Sequence, residues 1–279
     1  MTGTMTATLT AAIAAPEFIR QVAHSFGKAC DSYLPAARLQ QQVALDALTL
    51  LPADKQGHLL DLGCGPGWIH PRFAAYCNQF TAADLSAGML AKAASQQLAS
   101  HIATPLTTTY VQADARQLPL PAQSVDKLFS SLMLQWCPKP AAVFAEAERI
   151  LAPGGRIVMT TLVDGTLAEL KQAFASLDQQ QHINHFLPAA DVVAAAGSVS
   201  NIRWQFEQRC YPLFYTDVVS LARELKALGA NQVAGRQSRG LTGKGYWQQL
   251  AAAYDLNRTT LGLPASYQVL IITGYKNAS

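Results

Sequence analysis

Asp61-Leu62-Gly63-Cys64-Gly65-Pro66-Gly67 decides how this chain is read, because it directly follows an apolar strand at His58–Leu62 and opens a helix after Gly67. Its glycines let the backbone turn tightly and bring a ligand against bare amide groups. Nineteen residues after Gly65, Asp84 closes a second strand, Phe80–Asp84. A carboxylate there can accept both hydrogens of a ribose diol. Turn and acid together describe a nucleoside site at the carboxyl ends of the strands.

Outward from the turn, segments alternate. A helix is expected from Met89 to about Leu98, strands at Thr108–Gln112 and Val125–Leu132, a helix from Ala141 to Leu151, and a strand at Arg156–Leu162. That rhythm predicts an α/β fold with a parallel sheet and crossover helices. Pro153-Gly154-Gly155 reads as a sharp helix-to-strand stop. Before the core, Ala36, Leu39, Val43, Ala47 and Leu50 keep helical spacing across Pro35–Leu51. Beyond residue 163 helices are expected near 166–178, 189–196, 216–228 and 244–254, with strands at about Ile202–Leu213 and Tyr267–Tyr275, the last adding an edge strand.

Composition bounds the function. Half of the 279 residues are hydrophobic and 14% are charged, which excludes a disordered chain. No apolar run reaches the roughly 18–20 residues that cross a bilayer, so no membrane partner is expected. Residues 1–19 read as a flexible leader whose first sixteen positions lack Lys and Arg. Residues 20–279 then form a single domain with a cap insertion at about 164–245. Five cysteines without a CxxC pair argue against a disulfide framework or structural zinc and favour the cytoplasm. A net charge of +3 is too small to indicate nucleic acid. His182 and His185 lack further ligands at metal spacing and read as fixing a loop; Cys64 reads as a small packing residue.

A dinucleotide-binding turn carries GxGxxG and seats a pyrophosphate on the helix N-terminus; here the spacing is GxGxG. The Asp-x-Gly-x-Gly-x-Gly form resembles motif I of the class I S-adenosylmethionine methyltransferases. The resemblance implies a Rossmann-like fold with a mostly parallel seven-stranded sheet, N-terminal helices and a helical cap. It places Asp61, Gly63, Cys64, Gly65 and Gly67 beneath the methionine part of S-adenosyl-L-methionine, with Asp84, Leu85 and Met89 in the same site. Asp114 and the amide of Ala115, ending the third strand, would hold the adenine amino group. Leu132, Gln135 and Trp136, after the fourth strand, would flank the reactive methyl; for Leu132 core packing is also a reasonable reading, and for Gln135 and Trp136 packing weighs evenly against function. Gln135 and Trp136 carry N–H donors that can orient a carboxylate without protonating it.

The chain is also similar, from about residue 20 to 276, to the malonyl-acyl carrier protein O-methyltransferases of biotin synthesis. The similarity rests on Ser25-Phe26-Gly27 with Tyr33, Leu134-Gln135-Trp136-Cys137, Thr160-Thr161-Leu162, His182-Ile183-Asn184-His185-Phe186-Leu187-Pro188 and Leu225-Lys226-Ala227-Leu228-Gly229-Ala230. It implies methyl transfer to the free carboxylate of a malonyl thioester on acyl carrier protein, leaving S-adenosyl-L-homocysteine. A carboxylate of pKa about 4 is ionised at neutral pH and needs no base, in keeping with the lack of an obvious catalytic His–acid pair in the sequence. The acidic carrier would meet basic cap residues: Arg209, Lys226, Arg236 and Lys244 foremost, with Arg203, Arg223 and Arg239. The alternative is a quinone or other small-molecule methyltransferase, with no dependence on a carrier.

Overall fold

Strands that are apolar on both faces are stable only where both faces are covered. Leu59 and Leu60 of β1 (His58–Leu62) and Leu128 of β4 (Val125–Ser131) are completely buried, which puts these two strands at the sheet's centre. The computed structural model describes residues 17–29, 33–99, 108–228 and 243–278. Within them the chain runs α1 (Glu17–Ala29), α2 (Tyr33–Ala36), α3 (Arg38–Leu48), β1, α4 (His70–Phe73), β2 (Gln79–Asp84), α5 (Ala87–Ala99), β3 (Thr108–Gln112) and β4. A 3-10 turn (Leu134–Trp136), α6 (Pro140–Ile150), β5 (Leu151–Leu162), α7 (Ala168–Ala175), α8 (Ala189–Gly197), β6 (Ile202–Tyr215), α9 (Val218–Ala227), α10 (Lys244–Asp255) and β7 (Leu263–Lys276) follow.

The seven strands lie in the order β3-β2-β1-β4-β5-β7-β6. The first five are parallel; β7 runs antiparallel to both β5 and β6. From β1 the chain winds to β2 on one side and later returns to β4 on the other. The crevice beyond the carboxyl ends of β1 and β4 is therefore the topological switch point, where open α/β sheets bind ligands.

One sheet face is covered by α6 and α8, whose Val143, Phe144, Ala147, Val192 and Ala196 join a buried cluster with Leu128 and Ile157. The other is covered by α3, α4 and α5, with Ala47, Phe73 and Leu90 against Phe80 and Phe129. A third apolar cluster joins α3, α7, α9 and α10 to β6 and β7. It forms a roof over one end of the sheet.

Three expectations are corrected. The last strand is not an edge: β7 sits between β5 and β6, and β6 holds the edge. Pro153-Gly154-Gly155 lies inside β5, because α6 already stops at Ile150. The pairing with β4 jumps there from Val125–Leu151 to Lys127–Arg156, so the glycines form an irregular bulge. The long helix expected before β1 is broken at Ala37 into α2 and α3. The span 164–245 holds α7 and α9, but also the sheet strand β6 and α8, which packs beside α6. Among the described residues, no helix is long and apolar enough to cross a membrane.

Lys127 is buried within β4. Its ammonium pairs with Asp54 and donates to the carbonyls of Tyr76 (2.6 Å) and Gln56 (3.0 Å), tying the segments that flank β1. Lys127→Met strands both carbonyls and should cost about 2 kcal/mol of stability in urea unfolding; a loss under about 0.5 kcal/mol would deny it that role.

Candidate active site

The glycine turn is built by hydrogen bonds from β2. Gly63 and Cys64 donate their N–H groups to the Ala83 carbonyl at 2.8 and 3.1 Å. Gly65 N donates to Asp84 Oδ2 at 2.9 Å, and Ser86 N to Asp84 Oδ1 at 2.8 Å. Burial pushes the Asp84 carboxyl up to about 6, although these two N–H groups pull it down. Tyr33 lies beside it, its phenol raised by burial and by the Asp84 charge.

Two glycines of the turn are required for opposite reasons, both at positive φ. A Cβ on Gly67 (φ +75°) would fall 2.7 Å from Ala93 Cβ and from the His70 ring. A Cβ on Gly65 (φ +54°) would meet nothing within 4 Å and would enter open space. Gly67 therefore serves packing, whereas Gly65 keeps its backbone face clear beside Asp84.

Asp61 does not line that space. Its carboxylate, 2% exposed, meets His70 Nε2 at 3.2 Å. Burial raises this carboxyl, with His70 opposing. Asp61 thus holds the imidazole that crowds Gly67, bracing the turn from behind. Cys64 is buried behind it as well, and desolvation raises its thiol far enough to keep it protonated.

The chamber above the turn has a volume of about 340 Å³. Gly63, Gly65, Asp84, Leu85 and Met89 line its floor, and Asp114, Ala115, Leu132, Gln135 and Trp136 continue the wall. Asp114 is already engaged: Arg116 clamps it with Nε at 2.9 Å and Nη2 at 2.6 Å, and that pair holds the carboxyl below its usual range against the upward push of burial. Gln135 is engaged too. Its Nε2 donates to the Leu132 carbonyl at 2.6 Å, and its Oε1 accepts from Thr161 Oγ1 at 3.2 Å and Leu162 N at 3.3 Å. Leu132 has φ +53°, a strained value for a non-glycine residue. Gln135 and Thr160, which accepts from Leu132 N through its carbonyl and hydroxyl, hold it there. Gln135 is thus a brace for the wall rather than a free donor pair.

Several wall residues were missed in the sequence. Helix α1 closes one side with Val22, Ala23 and Phe26, and Phe26 packs edge-on to Trp136 at 5.2 Å. Gln40 faces the chamber with its Oε1 buried and without a partner. The roof is apolar, with Leu170, Phe174, Leu225 and Leu250. Within it, His182 lines the chamber and is bonded to Asp178 Oδ1 at 2.8 Å, a His–acid pair where none was expected.

The basic cap residues are not equivalent. Arg209 is matched by Glu207 across two bonds of 2.5 and 2.9 Å, and Arg203 lies over the Tyr275 ring. Arg223 and Lys226 are exposed on α9. Lys244 opens α10, and Arg236 and Arg239 lie outside the described residues. Among the described residues, no cluster of three metal-ligating side chains occurs.

A family model described as a methyltransferase domain matches residues 60–159, the span from β1 through most of β5. The malonyl-acyl-carrier-protein O-methyltransferase of Hahella chejuensis is 35% identical over 254 residues, covering 89% of this chain and 88% of its own. That of Alcanivorax borkumensis is 38% identical over 259 residues, covering 92% and 86%. The chain belongs to the malonyl-acyl-carrier-protein O-methyltransferase family. It spans about half (49%) of a bifunctional biotin biosynthesis protein of Cellvibrio japonicus, 37% identical over 251 residues and 90% of this chain. The same fold is found in Haemonchus contortus phosphoethanolamine N-methyltransferase 2 in complex with S-adenosyl-L-methionine (TM-score 0.61, 18% identity, 95% of this chain and 61% of that one). It is found also in the YcgJ protein of Bacillus subtilis (TM-score 0.58, 18% identity, 86% and 99%).

The two glycines separate by experiment. Gly67→Ala should cost about 3 kcal/mol of stability through clash and positive φ, whereas Gly65→Ala should cost about 1 kcal/mol through φ alone. Equal losses in denaturant titration would contradict the distinction.

Proposed function

We propose that this chain is a cytoplasmic enzyme, acting as a single catalytic domain. It transfers the methyl group of S-adenosyl-L-methionine to the free carboxylate of malonyl-acyl carrier protein, giving the methyl ester that primes biotin synthesis. The observation that carries this is the clear backbone face of Gly65 beside the buried Asp84, opening on an apolar chamber, in a chain of this family.

The floor of the chamber suits the cofactor. Each Asp84 oxygen already accepts one backbone N–H and has lone pairs left for the two ribose hydroxyls. Gln40 Oε1 is an orphaned acceptor that fits an ammonium donor. Asp114, clamped by Arg116, retains acceptor capacity for an adenine amino group, with the Ala115 amide beside it. When bound, S-adenosylmethionine supplies a methyl on a sulfonium, whose transfer to a carboxylate makes a C–O bond and leaves the electron pair on sulfur, with no proton to move. The chain's task is then positioning. Leu132, fixed in its strained conformation, shapes the wall, and Phe26 holds the Trp136 ring beside it.

Carrier recognition is assigned to α9. Arg223 and Lys226 project from the exposed face of the same helix, while Arg209 contributes less because Glu207 offsets it. Carrier docking through such a face accelerates encounter and weakens with salt.

Labelled-methyl transfer tests the function: malonyl-carrier protein should be esterified, and a quinone precursor should not. Methylation of the quinone precursor with no label on malonyl thioesters would replace this reading with the small-molecule one. For the cofactor site, affinity should fall as pH drops through about 6, because protonating Asp84 removes the charged acceptor for the ribose hydroxyls. Asp84→Asn should weaken binding about tenfold or more at pH 8 and flatten that pH dependence; calorimetry showing wild-type behaviour would remove Asp84 from the site. For the carrier, the double variant Arg223→Glu with Lys226→Glu should lower kcat/KM for malonyl-carrier protein about tenfold at low salt. Its kcat/KM for malonyl-coenzyme A should hardly change, and equal effects on both would place docking elsewhere.

A further inference from the structure

An acceptor carboxylate that enters this chamber leaves water, and a buried anion needs a hydrogen-bonding or charged partner. Among the described residues that line the chamber there is no Lys or Arg. The acids that line it are Asp84, Asp114 and Glu224, and Arg116 and Arg38 answer the last two from outside the lining. The one lining side chain there able to carry positive charge is His182, whose side chain is only 7% exposed.

His182 is held from three sides. Phe174 stacks on its ring at 4.1 Å and 9°. Its Nε2 lies 2.8 Å from Asp178 Oδ1 and 3.1 Å from the Tyr246 hydroxyl, and that hydroxyl donates to Asp178 Oδ2 at 2.7 Å. With Nε2–H donated to the Asp178 carboxylate, Nδ1 is left for a ligand, and it donates to a carboxylate when the ring carries a proton on both nitrogens. The segment that carries it runs on through Asn184 and Phe186, which line a second cavity together with Gln135 and Trp136. His182 therefore belongs to the wall that continues toward the end of β4.

We propose that His182, seated by Asp178, Tyr246 and Phe174, recognises the free carboxylate of the acceptor. The proposal rests on the malonyl-thioester reading above and deepens it. A His–Asp couple suits this task better than a bare cation. Transfer converts the carboxylate into a neutral ester, so a strong permanent counter-charge would hold the reactant more tightly than the transition state. An imidazole whose charge is shared with Asp178 selects the anion with less of that penalty, and it loses its hold once the ester has formed. The competing role for a His–Asp pair is general base toward a hydroxyl acceptor, and the two differ in what removal does.

Binding and turnover are measured together for wild type, His182→Leu and His182→Gln. In the presence of S-adenosylhomocysteine, wild type should bind malonyl-pantetheine about tenfold more tightly than its methyl ester, and His182→Leu should bind the two alike. His182→Gln keeps a donor without the charge and should fall between them. In turnover with malonyl-carrier protein, His182→Leu should raise KM about tenfold with kcat within about threefold. Unchanged S-adenosylmethionine affinity by calorimetry identifies the variants that remain folded. A collapse of kcat at constant KM would mean that His182 acts only in the transition state and does not bind the free carboxylate, and an unchanged preference for the malonyl group would make it structural; either overturns the proposal while leaving the acceptor reading intact. If wild type methylates no malonyl thioester at all, the acceptor reading fails first and this proposal falls with it.

Discussion

The site depends on one carboxylate that has been taken out of water. Asp84 is seated at the end of β2 with the N–H groups of Gly65 and Ser86 on its two oxygens. Through the first bond it fixes the glycine turn after β1, and through the second it fixes the start of α5. Burial alone would favour the protonated acid, and those bonds only partly offset it. The pocket floor therefore holds a desolvated acceptor that two further donors would stabilise. Neighbouring features serve that arrangement: Asp61 and His70 brace Gly67 from behind, and the first two amides of the turn hang on the Ala83 carbonyl.

The opposite wall is made rigid in another way. Leu132 stands at positive φ directly after β4, and a strained residue persists only where its surroundings over-determine it. Thr160 on β5 receives its N–H, and Gln135 takes up its carbonyl while bonding across to Thr161 and Leu162. Floor and wall are thus fixed by hydrogen bonds between adjacent parallel strands. The roof is different, since it consists of apolar side chains from α7, α9 and α10 and is pinned at polar points such as Asp178–His182–Tyr246. A rigid half that sorts polar groups and an apolar half that excludes water are what a displacement without proton transfer requires.

What could be read from the sequence was what is local in the chain. The turn, Asp84 and the parallel strands follow from glycine spacing and apolar runs, and β1 and β3 fall where their residues predict. Strand order is not local, so the residues alone put β7 at the edge. A signal was present: Val269-Leu270-Ile271-Ile272 is buried on both faces, as an inner strand must be, whereas β6 alternates with Arg203, Glu207 and Arg209 and suits an edge. By sequence the side chains of Asp114 and Gln135 are donors and acceptors awaiting a ligand, but in the fold neighbours already hold them. Arg116, two residues from Asp114, could have been noticed; Thr161 and Leu162 reach Gln135 only through sheet pairing. Asp178 stands four residues before His182 and is a signal in the sequence, whereas Tyr246 is 68 residues from Asp178 and meets it only in the fold.

The most direct measurement is a crystal structure of the protein with S-adenosylhomocysteine and a non-hydrolysable malonyl-pantetheine analogue. The account predicts the ribose hydroxyls on Asp84, the amino-acid portion over Gly65, and the malonyl carboxylate inside the roof facing Trp136 and His182. An adenosyl group seated away from Asp84, or a malonyl carboxylate turned out to solvent, would contradict it.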